Sequence, residues 1–241
     1  MRKKRGGKAS SPAGAPQARS LHSSHCLVHL FFILSEDTVS MDLFTLAILV
    51  ALGLHMLKTK YQRRRIALLG SHLGHYQIEK HMETLTEGYL RALGEADASR
   101  RAQIFALLGN TEAALSDQLG RLALEFSKVD GDETRVSRLP VGIPYADRLL
   151  PAATFDMRQA LAVHAKGVAL AMRNGAGQPP KERAFTLMAE MLLLQHTCHW
   201  FCKSKSVASA RMLVRHKTAY EQLVASVLPE TRRAYGALVG P

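Results

Sequence analysis

The 241 residues allow one or two domains. Three cysteines, Cys26, Cys198 and Cys202, are too few for a disulfide framework and suit a reducing compartment. The net charge of +12 would suit nucleic acid, but its placement argues otherwise: residues 1–65 hold 11 Lys/Arg against 3 Asp/Glu, and residues 66–241 hold 21 against 17. The excess lies in an N-terminal tail and beside an apolar stretch, where anionic headgroups account for it, so nucleic acid is not the expected partner.

Residues 1–40 read as a tail whose first 20 residues are basic, rich in Gly, Ser, Ala and Pro, and unable to bury a core. The apolar run 26–34 is too short to span a bilayer. Translation starting at Met41 is the simplest account of the tail, and an N-terminal peptide mapping to residues 1–40 of the native protein would refute it.

Residues 41–57 hold no charge after Asp42, and they are apolar on every face. Seventeen residues sit at the lower limit for a spanning helix, covering roughly 25 Å of a roughly 30 Å hydrocarbon core. Lys58, Lys60, Arg63, Arg64 and Arg65 follow with no acid among them. An apolar helix with this basic collar predicts a single membrane span, the collar at the cytoplasmic interface, and a C-terminal domain in the cytoplasm, most simply at the inner membrane of a cell. The competing readings are the buried helix of a soluble protein and a cleaved signal peptide, the latter weakened because the positive charges follow the apolar run.

The remainder reads as all-α. Residues 58–94 continue as a helical stalk whose stripe of Ile78, Met82, Leu85, Tyr89 and Leu93 wants a partner, either a second copy or the domain's own helices. Residues 95–241 read as a helical bundle. Gly109, Asn110 and Thr111 are expected to divide a short helix from one reaching about Val129. Residues 130–151, with three prolines among them, predict a long loop packed on the bundle by Val141, Ile143, Tyr145 and Leu149. Thr154 is expected to cap the next helix. Residues 184–194, apolar nearly all round, mark the central helix. Residues 206–227 form another, and Pro229 restarts the last. No strand pattern of period two and no internal repeat is visible.

Chemistry-bearing residues concentrate at His196, Cys198, His199 and Cys202. Thiolate and imidazole suit zinc, but one helix cannot surround the ion, and His164 or His216 would have to complete the set. Core packing of the two cysteines beside Trp200 and Phe201 is the plainer reading, and no cofactor is assigned. His72, His75 and Glu79 share a helical face, an arrangement that solvated surfaces routinely show. Glu190 lies in the apolar helix, where burial would raise its pKa. Lys203, Lys205, Arg211, Arg215 and Lys217 form a basic stretch suited to lipid headgroups or an acidic partner. It lacks the aromatic interleaving that base stacking requires. No phosphate loop, dinucleotide fingerprint, zincin motif or nucleophile elbow is present. The expectation is a membrane-anchored interaction or scaffold protein. A metal-binding or redox bundle enzyme and a soluble basic nucleic-acid binder are its rivals.

Overall fold

The computed structural model describes the backbone of residues 23–175 and 177–240 and the side chains of 41–145, 148–175 and 177–240. Among the described residues it is all-α but for one small hairpin. The chain divides into two units, Met1–Leu54 and His55–Pro241. Helix α1, Ser23–Leu73, runs through the boundary. The tail reading is corrected for its second half: 23–40 is helical backbone, in keeping with a sequence free of Gly and Pro from Ser23 to Leu52. The expectation for residues 1–22 lies outside the described residues.

In the first unit, the described side chains, 41–54, are all exposed. Leu43, Phe44, Leu46, Leu49, Val50 and Leu52 each keep more than half of their surface.

The second unit is a helical bundle. Its part of α1 buries Arg65 and Leu69. The helix ends where the Gly74 amide donates to the Gly70 carbonyl, and the Gln77 amide is taken up by Gln118 Oε1 at 2.7 Å. Helix α2 (Ile78–Gly94) then packs against α3 (Ala98–Phe126). A straight stalk is therefore not formed. Ile78, Leu85 and Tyr89 are buried in the same core as Leu115, Leu119 and Phe126, so the stripe finds its partner within the domain. The two helices approach closely at Gly88, where a Cβ would lie 2.6 Å from Leu108 Cδ2. Helix α3 is continuous through Gly109, against the expected break. Leu108, Glu112, Leu115, Leu119 and Leu122 hold one buried face across it, and that burial outweighs the roughly 1 kcal/mol propensity cost of one glycine.

The segment expected to be one long loop contains two one-turn helices, α4 (Gly131–Thr134) and α5 (Ala146–Leu149). It is closed by strands β1 (Arg135–Ser137) and β2 (Thr154–Asp156), paired antiparallel with Val136 opposite Phe155. Three-residue strands are too short to show a period. The anchors also differ from expectation. Val141, Tyr145 and Leu149 are exposed, whereas Val136 and Phe155 are buried, Phe155 edge-on to Trp200. The Trp200 indole donates to the Ser137 carbonyl at 2.9 Å. Asp156, not Thr154, caps helix α6 (Met157–Arg173), accepting from the Arg158 amide and guanidinium and from Thr134 Oγ1.

Helix α7 (Pro180–Cys202) is the central element, with Leu187, Met191, Leu193, Trp200 and Phe201 enclosed by its neighbours. The helix expected over 206–227 is two: α8 (Lys205–His216) and α9 (Tyr220–Ser226), divided by a left-handed Lys217. Helix α10 (Pro229–Val239) follows, with proline in its first turn.

Candidate functional site

Three places merit a functional account. The first is the stretch Met41–Leu73, a helix long and apolar enough to cross a membrane, none of whose most apolar window is buried. The basic collar behind it is not uniform. Arg65 is only 7% exposed. It donates to the carbonyls of Phe201 and Arg135 and lies over the rings of Tyr61 and Phe201. It is a packing residue of the bundle, which corrects its assignment to the collar. Arg64 pairs with Glu133 while remaining largely exposed. Lys60, Arg63 and Arg64 stay at the surface, and Lys58 borders a small cleft with Tyr61 and Lys203.

The second place is the His/Cys cluster of α7. His196 is buried, donates or accepts at Ser209 Oγ at 3.0 Å, and stacks on Tyr220 with ring centroids 4.6 Å apart. Cys198 and His199 face a groove on one side of α7, and Cys202 faces the cleft near Arg65. His164 is fully buried 2.9 Å from Thr197 Oγ1, which is 3.1 Å from the Tyr235 hydroxyl. Among the described residues no three His, Cys, Asp or Glu side chains converge as a metal would need. Burial pushes His164 down to about 3 and His196 down to about 4, so both are neutral at pH 7. Burial likewise raises the Cys198 thiol and pushes Cys202 up to about 11, leaving both thiols protonated and poorly nucleophilic. Helix α7 thus presents its His and Cys residues to several surroundings, with His196 bonded to Ser209 in the core and Cys198, His199 and Cys202 lining two separate openings.

Glu190, on the same helix, is fully buried. Its Oε1 accepts from the Leu228 amide at 3.0 Å. Its Oε2 lies beside Gly167, where a Cβ would come within 2.5 Å of it. Burial pushes its pKa up to about 7. The absence of a side chain at Gly167 makes room for this carboxyl.

The third place is a groove of about 480 Å³ between α2 and α8, floored by α7. The sequence singled out only part of it. Arg211 and Arg215 line one side, and His199 and Cys198 the floor. The rest of the basic stretch is dispersed: Lys203 bonds Gln62, Lys205 lies over the Trp200 and Tyr220 rings, and Lys217 is the left-handed cap of α8. The opposite side carries Glu79, Glu83 and Glu87. Their i, i+4, i+8 spacing places them on one face of the helix and is legible in the sequence. Those histidines do not join them: His72 turns to the Leu68 carbonyl and the Phe126 ring, and His75 is exposed. No family model, curated protein or solved structure matches the chain.

Proposed function

We propose that this chain is a single-pass membrane protein whose helical domain is an interaction module held at the cytoplasmic face. The observation that carries the reading is the complete exposure of an all-round apolar helix over 41–54, followed directly by surface cations. Water-soluble proteins rarely expose contiguous apolar surface of this extent, and lipid is the solvent that stabilises it. Lys58, Lys60, Arg63 and Arg64 supply the asymmetry that retains the following domain on the cytoplasmic side. The interaction role rests on the groove.

Carbonate extraction of native membranes tests the anchor: the protein stays in the pellet and is digested by protease only after the cytoplasmic face is opened. Release by carbonate refutes the span, and digestion from the opposite face refutes the orientation. Stoichiometric zinc in the purified protein would replace the docking role with metal chemistry.

A further inference from the structure

The central helix is covered on all sides but one. Leu192, Gln195, Cys198 and His199 recur every three to four residues and are only half-buried, so one face of α7 lies open over two turns. Met82 and Leu122 extend this apolar floor. Along one wall Glu79, Glu83 and Glu87 run for about 12 Å, and along the other Arg211 and Arg215 run for about 6 Å. All five are exposed, and among the described residues no salt bridge joins the two walls.

We propose that this groove takes an amphipathic helix of a partner protein, with apolar anchors on α7, a basic edge along α2 and an acidic edge along α8. The inference rests on the reading of the domain as an interaction module and names the partner's chemistry. Volume does not choose the occupant, since pockets for small ligands run roughly 300–1,000 Å³. The charges do. A zwitterionic headgroup meets one charge of each sign, whereas glutamates four residues apart over two turns match a rod with cations at the same spacing. Apolar anchors at i, i+3 or i+4, and i+7 are the usual way a helix fills such a groove. The opposed walls also set its direction, because turning the helix end for end exchanges its edges.

The test uses the full chain in lipid nanodiscs and three labelled synthetic peptides of about four helical turns. All share one leucine stripe; the edges are Lys and Glu, Lys on both, or Glu on both. Fluorescence anisotropy is expected to show the mixed peptide binding at least tenfold more tightly than either other, with the preference fading in high salt. The double charge reversal Arg211→Glu with Arg215→Glu weakens the mixed peptide tenfold and makes the all-Lys peptide the tightest, while circular dichroism is unchanged. Equal binding of all three peptides, or no response to the reversal, overturns the proposal. So does displacement of the mixed peptide by dodecanoate, which assigns the groove to an acyl chain. Carbodiimide crosslinking through the exposed Glu83 that joins two copies without peptide also overturns it, assigning the groove to self-association. The titration reads the groove alone and carbonate extraction reads the anchor alone, so either can fail while the other stands.

Discussion

Two stretches of this chain have nearly the same chemistry and opposite surroundings. The 41–57 part of α1 is apolar around its whole circumference, and the 184–194 part of α7 is nearly so, interrupted by Thr186 and Glu190. Helix α7 is enclosed by protein except along one face, with Leu187, Met191 and Leu193 at 1% exposure or less, whereas Leu43, Leu49 and Leu54 of α1 are at least 60% exposed. The polar side chains mark the difference. Helix α7 carries Glu190, His196 and Thr197, each with a partner on another element or in its own turn. Helix α1 over 43–54 carries one hydroxyl, Thr45, which returns to the Met41 carbonyl at 2.8 Å. A protein interior can supply specific partners to such groups, whereas a helix placed in lipid would have to satisfy every polar group within itself, as this stretch does.

Deleting residues 41–57 is the strongest way to break this comparison. The protein is expected to move almost wholly from the membrane to the soluble fraction while keeping the circular dichroism of the bundle, and sedimentation with membranes after deletion would show that the exposed helix is not the anchor. Next in size is Leu193→Ala, which should cost about 3 kcal/mol in thermal or denaturant unfolding of the bundle, because it leaves a cavity at a fully buried site.

A pH series sharpens the account of the polar groups on α7 and its neighbour. Glu190 is raised from 4.5 to about 7 in the fold, so the folded state binds more protons than the unfolded between those values, and this group's contribution falls as pH rises through that window. His164 and His196 are depressed from 6.5 to about 3 and about 4, so their contribution is complete above pH 6.5 and is lost as pH falls. Between pH 4.5 and 6.5 the two histidines outweigh the single acid, so these three groups make stability rise with pH and level off near pH 7. Glu190→Gln removes the opposing contribution, worth about 3 kcal/mol over pH 4.5 to 7, and the rise steepens. A pH slope unchanged by the substitution would clear the buried acid of the effect. The smallest effect belongs to Leu49→Ala, within about 0.5 kcal/mol on bundle unfolding, since its side chain touches no core. A loss comparable to that of Leu193→Ala would mean α1 is packed by protein after all.

Much of the bundle was legible from periodicity. The central position of 184–194 and the restart at Pro229 both appear where local pattern put them. The misses share one cause. Gly109 looked like a stop, but burial on both sides of it carried α3 through. Lys217 looked helical, but the chain turns there so that Leu223 and Val227 reach the core. The hairpin of 135–137 with 154–156 depends on residues far apart in sequence, and no three-residue window announces it.

The candidate sites divide in the same way. An apolar run and the cations after it are contiguous, so residue order alone determined that one helix suits a membrane, that the fold is helical, and that α7 needs enclosure. Only the tertiary structure decided that Arg65 turns inward, that the His and Cys residues of α7 part company, and that glutamates of α2 face arginines of α8 across an open groove. Hydrophobicity along a segment is a local property of the chain. Which charged faces meet depends on how helices more than a hundred residues apart in sequence pack, and no single stretch of sequence carries that information.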